Sequence, residues 1–252
     1  MSFSIKQFKN CKTKGFSLIE LMAVISVIGI LSAILIPVIN SVRNSAKTTK
    51  SLSNLRQLAS AMQMYSSDNN GLYPVGYHDP DPGHETYWYL EIEQYIDQKT
   101  ISGSELHNIL VSPFVDIELA DGSYADGDVR TSPSTYSVHG VICPSLPPDY
   151  TEDSRFPIWN IKENHSEIIL IGEGTLNAWG YSQATFTKPG AWQNLDSVSQ
   201  TTLESTVWPF DESDVGALSY RANGYALVAF LDGHVEALER DEVKYKNIVI
   251  SP

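Results

Sequence analysis

Twenty-three consecutive residues, Ser17 to Ile39, carry a single charge, and that charge is a glutamate at the fourth of them, Glu20. A helix over this run is about 35 Å long at ~1.5 Å per residue, enough to cross a hydrocarbon layer ~30 Å thick. Four lysines precede it (Lys6, Lys9, Lys12, Lys14). Basic residues favour the cytoplasmic side of a membrane, so the chain after the run is expected on the far side, with inner-membrane lipid as its first partner.

Three readings of this segment compete. A secretory signal peptide has a basic start and an apolar centre, but this centre is longer than usual, and the only small-residue cleavage candidate is Asn44-Ser45-Ala46. A plain anchor leaves Glu20 unexplained, because insertion of an acidic residue at a helix centre costs about 2.5–3.5 kcal/mol. The third reading gives Glu20 a purpose. The stretch Lys14-Gly15-Phe16-Ser17-Leu18-Ile19-Glu20 resembles the processing box of type IV prepilins and type II secretion pseudopilins. The resemblance implies that a prepilin peptidase cuts between Gly15 and Phe16 and that Phe16 is then N-methylated. It also implies that Glu20, fifth in the mature chain, pairs with the amine of a neighbouring pilin or pseudopilin subunit during assembly. Pro37 falls where many members carry a helix-kinking proline. Electrostatics agrees, since an unpaired carboxylate in a low-dielectric setting is costly and a nearby cation offsets much of the cost. The expected organisation is leader 1–15, membrane or filament helix 16–39, amphipathic continuation 40–70 and extracytoplasmic body 71–252.

The net charge of −13 is concentrated in the body. After Arg56 there are nine basic and twenty-nine acidic residues, a formal charge of −20. That surface repels polyanions, which argues against nucleic acid as a partner. Thirteen Pro, sixteen Gly and thirteen Tyr indicate a loop-rich body containing strands. With Cys11 in the expected leader, Cys143 stands alone and is read as a buried thiol.

Beyond Pro37 an apolar stripe (Val42, Ala46, Leu52, Leu55, Leu58, Ala59, Met62, Tyr65) is expected to lie on the body, with Arg43, Lys47, Lys50, Ser53, Arg56 and Ser60 opposite. Asp68-Asn69-Asn70-Gly71 ends the helix, with Gly71 suited to a left-handed cap. Tyr87 to Ile96 reads as a short helix, Ser134 to Ile142 as an alternating strand and Ser166 to Gly172 as a buried strand. Two strand-like runs between Ala226 and Leu238 meet at Asp232-Gly233 and predict a β-hairpin with a type I′ turn.

This tail resembles that of a DUF1559-like subgroup of prepilin-like proteins, whose C-terminal domain is named for a His, nine residues and Asp-Gly. Asn223-Gly224 and Val228 to Val235 (VAFLDGHV) fit, and Ala222 stands at the position of the His. Tyr65 to Pro74 and Ser166 to Gly172 resemble the helix exit and central strand of that group. Its Cys-Pro-Ser segment is placed at Val111-Ser112-Pro113, and the resemblance is strongest at the two ends of the chain.

Candidate chemistry is sparse. Asp121, Asp126 and Asp128 lie in a Gly-rich loop, and oxygen ligands on such a loop suit Ca²⁺; the alternative is a solvated acidic surface. His78, Asp79, Asp81, His84 and Glu85 carry transition-metal ligand types, interrupted by prolines. His234 reads as a strand-edge residue. No nucleophile elbow, zinc-protease helix, Walker loop or dinucleotide fingerprint occurs, and no cofactor is otherwise implied. The expected fold is α+β and type IV pilin-like: a long N-terminal helix packed on an antiparallel sheet with loop-rich insertions. The expected function is that of a structural subunit of a secretion pseudopilus or type IV-like pilus, not an enzyme. The competing expectation is a membrane-anchored module that binds a ligand through Tyr87, Trp88, Tyr89, Trp179 and Trp192 without polymerising.

Overall fold

The computed structural model describes residues 17–78, 86–96, 109–115, 134–146, 157–175, 185–186, 218–248 and 250. The chain divides into two compact units, Met1–Arg43 and Asn44–Pro252. One helix, α1 (Leu18–Asp68), contributes to both.

In the second unit the C-terminal half of α1 is core. Leu55, Leu58, Ala59, Met62 and Tyr65 are buried with Tyr136, Val138, Ile168, Leu170, Leu227, Ala229 and Leu231. These partners lie in, or one residue outside, the strands of a five-stranded sheet of order β6-β3-β5-β7-β8. Its strands are β3 (Tyr136–His139), β5 (Ile169–Glu173), β6 (Thr185–Phe186), β7 (Tyr225–Phe230) and β8 (Val235–Glu239). All pairings are antiparallel except the short β3–β6 contact. The result is the expected α+β arrangement of a long N-terminal helix on a largely antiparallel sheet.

The sheet is covered on both faces. Ile169, Ala226, Val228 and Phe230 point away from α1 and pack with Phe186, Leu218, Tyr220, Leu238, Val243 and Ile248. Double coverage explains why β5 and β7 read as continuous apolar runs, and why all four residues of β3 are buried rather than alternating. A second, small sheet has order β2-β1-β4, from Thr86–Tyr87, Tyr77–His78 and Ser145–Leu146. The region read as one short helix near Tyr87 is α2 (Trp88–Glu91) followed by a 3₁₀ turn, Glu93–Tyr95.

Three local expectations change. First, the buried face of α1 begins only at Ser51; Val42 and Ala46 are exposed, and Leu52 is half-buried. Lys47, placed opposite the stripe, instead reaches the body, with its ammonium 5.8 Å from the centroid of the Phe114 ring. Second, α1 ends on two left-handed residues, Asn70 (φ 51°) and Gly71 (φ 73°). The Gly71 N–H donates to the Ser66 carbonyl at 2.8 Å, the long-range bond of a Schellman-type end, so the left-handed C′ position belongs to Asn70.

Third, the β7–β8 turn is not type I′. Of Asp232 and Gly233 only Gly233 (φ 92°) has positive φ. Phe230 N–H donates to the His234 carbonyl, and Gly233 N–H to the Phe230 carbonyl, both at 2.9 Å. This is a three-residue loop, Leu231–Gly233, ending in a left-handed glycine. Asp232 has no need of positive φ because its carboxylate accepts from the His234 backbone N–H at 3.1 Å. The type I′ signature appears one strand earlier, at Asn223 (φ 57°) and Gly224 (φ 92°), where Tyr225 N–H donates to the Ala222 carbonyl at 3.1 Å.

Cys143 is buried and unbridged. Burial, with the Glu91 carboxylate adding to it, holds its thiol well above the ordinary value of 9.0. A raised pKa means that the neutral form is favoured. The associated stability is present below the unfolded-state value and is lost as pH rises through the folded one. Alkylation of the folded protein at pH 8 is therefore expected to be negligible at Cys143 and complete in denaturant; equal labelling in both would contradict the burial.

Candidate functional site

The N-terminal part of α1 lies in the first unit. Every residue from Ser17 to Arg43 is exposed, including the large apolar side chains from Leu18 (75%) to Val42 (62%). An uninterrupted helix that is apolar all round requires a covering from lipid or from other chains. Within the run, Ser26 returns its hydroxyl to the Met22 carbonyl at 2.8 Å, which satisfies that donor inside the helix. Pro37 lies within the helix and provides no N–H for the Ala33 carbonyl.

Glu20 sits in the first turn. Its Oε2 accepts the Ser17 backbone N–H at 2.9 Å. Ser17 immediately precedes the helix, and its carbonyl accepts the Leu21 N–H at 3.2 Å. This is the glutamate half of a capping box, in which an acidic residue three positions into a helix satisfies an orphan amide and complements the positive end of the dipole. Gly15 and Phe16 lie outside the described residues.

A second polar centre, invisible in the sequence, lies where α1 meets the sheet. Glu173 ends the central strand β5 and is wholly buried. Its Oε1 accepts from Ser51 of α1 and from Ser112, each at 2.5 Å. With its one proton committed, the Ser51 hydroxyl accepts from the Tyr136 hydroxyl of β3 at 3.1 Å. The other carboxylate oxygen lies 3.5 Å from Arg221 Nε, and the Arg221 guanidinium also donates to the Gly174 carbonyl. Burial lowers the Arg221 pKa and the Glu173 charge opposes that shift. Burial, assisted by Glu173, pushes the Tyr136 phenol up. The centre joins five segments by hydrogen bonds, two of them charge-assisted at Glu173 Oε1, and by the Glu173–Arg221 ion pair, and so ties α1 to the sheet.

Trp88 and Tyr89 are core residues, 0% and 4% exposed, and of this trio Tyr87 alone, half-buried, keeps partial exposure. His234 is exposed at the hairpin, stacked on Phe230 at 4.1 Å between centroids, with Nδ1 2.6 Å from Asp232. Ala222 is buried in the main core. His78 is in β1, whereas Asp79, Asp81, His84, Glu85, Asp121, Asp126, Asp128, Trp179 and Trp192 lie outside the described residues. The Cys-Pro-Ser tripeptide stands in this chain at Cys143-Pro144-Ser145, not at 111–113. There the Pro144 carbonyl accepts from Gly76 N–H at 3.0 Å and Ser145 pairs with Tyr77.

Comparison with known proteins finds the prokaryotic N-terminal methylation motif at residues 10–36. A family described as protein of unknown function (DUF1559) matches residues 40–212. That match runs through the weakly patterned middle and stops before the Asp-Gly tail, while the methylation motif covers the N-terminal end as read from the sequence. The type II secretion system core protein G of Pseudomonas aeruginosa is 40% identical over 55 residues, 22% of this chain and 39% of that protein. The protein of the same name from Escherichia coli is 36% identical over 64 residues, 25% and 43% of the two chains. The type IV wide pilus major component PilA4 of Thermus thermophilus is 44% identical over 57 residues, 23% and 44%. The chain thus spans about two fifths of the length of the curated relatives it matches. No solved structure matches.

Proposed function

Because this chain belongs to the family described as protein of unknown function (DUF1559), and carries the N-terminal methylation motif ahead of it, we propose that it is a pilin-like structural subunit. It is made as an inner-membrane precursor, cut between Gly15 and Phe16 by a prepilin peptidase, N-methylated on Phe16, and assembled through α1 into a secretion pseudopilus or type IV-like filament. The observation that carries this reading is the division of α1. One half is unsheltered and apolar with Glu20 as its lone acid, and the other half is the core of a folded body. A plain anchor accounts for the apolar run and for Glu20 as a helix cap, but not for the methylation motif over residues 10–36. The names of the relatives, a secretion core protein and a pilus major component, agree with a filament subunit and not with a catalyst.

In the membrane-stored subunit the Ser17 amide and the helix dipole hold the Glu20 charge. In the assembly a neighbour's methylated Phe16 amine takes it over, a stronger partner because it bears a full charge. Pro37 loosens the helix within the packed apolar layer. The body is extracytoplasmic, on the side opposite the leader lysines.

The test is mass spectrometry of the N-terminal peptide from membranes of cells with the peptidase. A peptide starting at Phe16 and one methyl group heavier than the unmodified sequence is expected. Retention of Met1 to Gly15 would favour the anchored binding module, and a soluble product starting near Ala46 would favour a signal peptide.

A further inference from the structure

We propose that Trp159 is a stacking platform for carbohydrate, specifically for the flat apolar face of a β-linked pyranose chain. Trp159 is 65% exposed, the largest apolar side chain among the described residues of the folded body that is left so open. It is nevertheless held. Its six-membered ring covers the Cα of Gly71, so closely that a Cβ there would fall 2.1 Å from Cζ3 and 2.5 Å from Cε3. The Gly71 carbonyl accepts the Ile158 N–H at 2.8 Å, and the 3₁₀ turn Ile158–Asn160 is closed by Asn160 N–H to Pro157 O and Ile161 N–H to Ile158 O, both at 3.0 Å. One face of the indole is thus seated on glycine backbone and the other is presented to solvent, with little rotamer freedom left to lose on binding.

The surroundings indicate the ligand. Asp68, Asn70, Asn160 and Lys162, neighbours of Trp159 and of Gly71 along the chain, are all exposed. The Asp68 carboxylate is already oriented by the Tyr95 hydroxyl at 2.9 Å. A protein partner is matched by an apolar patch with several large side chains at its centre. A single held aromatic side chain with exposed carboxylate, amide and ammonium residues beside it along the chain suits a molecule with a C–H face and a hydroxyl edge, which describes a pyranose ring. This site goes beyond the filament reading and stands whether or not the chain polymerises.

The experiment uses the full chain in detergent micelles and saturation-transfer NMR with cellohexaose and with the hexamer of N-acetylglucosamine. Saturation is expected on ring C–H protons of at least one of the two. Trp159→Ala should weaken binding at least tenfold, Trp159→Tyr should restore most of it, and Gly71→Ala should weaken it by displacing the indole. Unchanged near-ultraviolet circular dichroism of Trp159→Tyr controls for folding. Sedimentation with isolated cell-wall sacculi against crystalline cellulose then separates the cell's own wall glycan from an external polysaccharide. No saturation for either sugar, or equal binding by Trp159→Ala, overturns the proposal. So does a Trp159→Ala variant whose only defect is loss of self-association, which would assign the surface to a second copy of this chain.

Discussion

Glu20→Gln is expected to abolish filament assembly while leaving removal of residues 1–15 intact. Glutamine keeps the size of the side chain and can still accept the Ser17 amide that Glu20 now holds, so the start of the helix survives. What disappears is the charge. Two unit charges ~4 Å apart at an effective dielectric near 20 attract by about 4 kcal/mol. Part of this offsets desolvation of the pair. A residual of about 2–4 kcal/mol still weakens each subunit contact by roughly 30- to 1,000-fold. Repeated along a polymer, that is all-or-none. The measurement is the yield of sheared or cross-linked filaments beside the fraction of processed subunit. Normal filaments from Glu20→Gln would remove the charge-pairing account, while a failure to process would move the role of Glu20 to the peptidase.

Glu173→Ala is expected to destabilise the folded body by about 3–5 kcal/mol, the usual cost of stripping one partner from a buried ion pair. It strands Arg221 and leaves the Ser51 and Ser112 hydroxyls without their acceptor. For a unit of this size each kcal/mol lowers the melting temperature by ~2–4 °C, so a fall of roughly 6–20 °C is anticipated. The double change Glu173→Leu with Arg221→Met should recover most of the loss, because removing both charges removes the desolvation cost as well. Ser51→Ala should cost about 1.5–3 kcal/mol, as one hydrogen bond to a charged group. Thermal unfolding followed by circular dichroism reads all three. A Glu173→Ala protein within 1 kcal/mol of the parent would mean that water replaces the network and that α1 is held by apolar packing alone.

Glu20 lies in the first half of α1, and Glu173 binds Ser51 in its second half. The start of α1 was legible because its information is local. A basic leader, Gly15-Phe16, Glu20 and an unbroken apolar run lie within 40 residues, and covering requirements follow from composition alone. The second half of α1 was legible only in outline. A 3.6-residue period marks Leu55, Leu58, Met62 and Tyr65, but Ser51 and Asn54, polar and wholly buried, interrupt it. They tolerate burial because Tyr136 and Glu173 reach them from 82 and more residues away. The Asp-Gly hairpin was visible as two strand-like runs around a turn dipeptide. Its turn type was not, because the side-chain bond from Asp232 to His234 N–H, rather than positive φ, stabilises it.

By itself the sequence determined the long helix, its apolar first half, the lone acid near its head and the buried strand within Ser166 to Gly172, since each is written in neighbouring residues as period, charge or composition. The tertiary structure alone decided which polar groups share the interior, which tryptophan is buried and which is open, and where the helix first touches the body. Those outcomes depend on partners distant along the chain: Trp88 and Trp159 are the same residue type, and only the segments folded against them place one in the core and the other on a glycine at the surface.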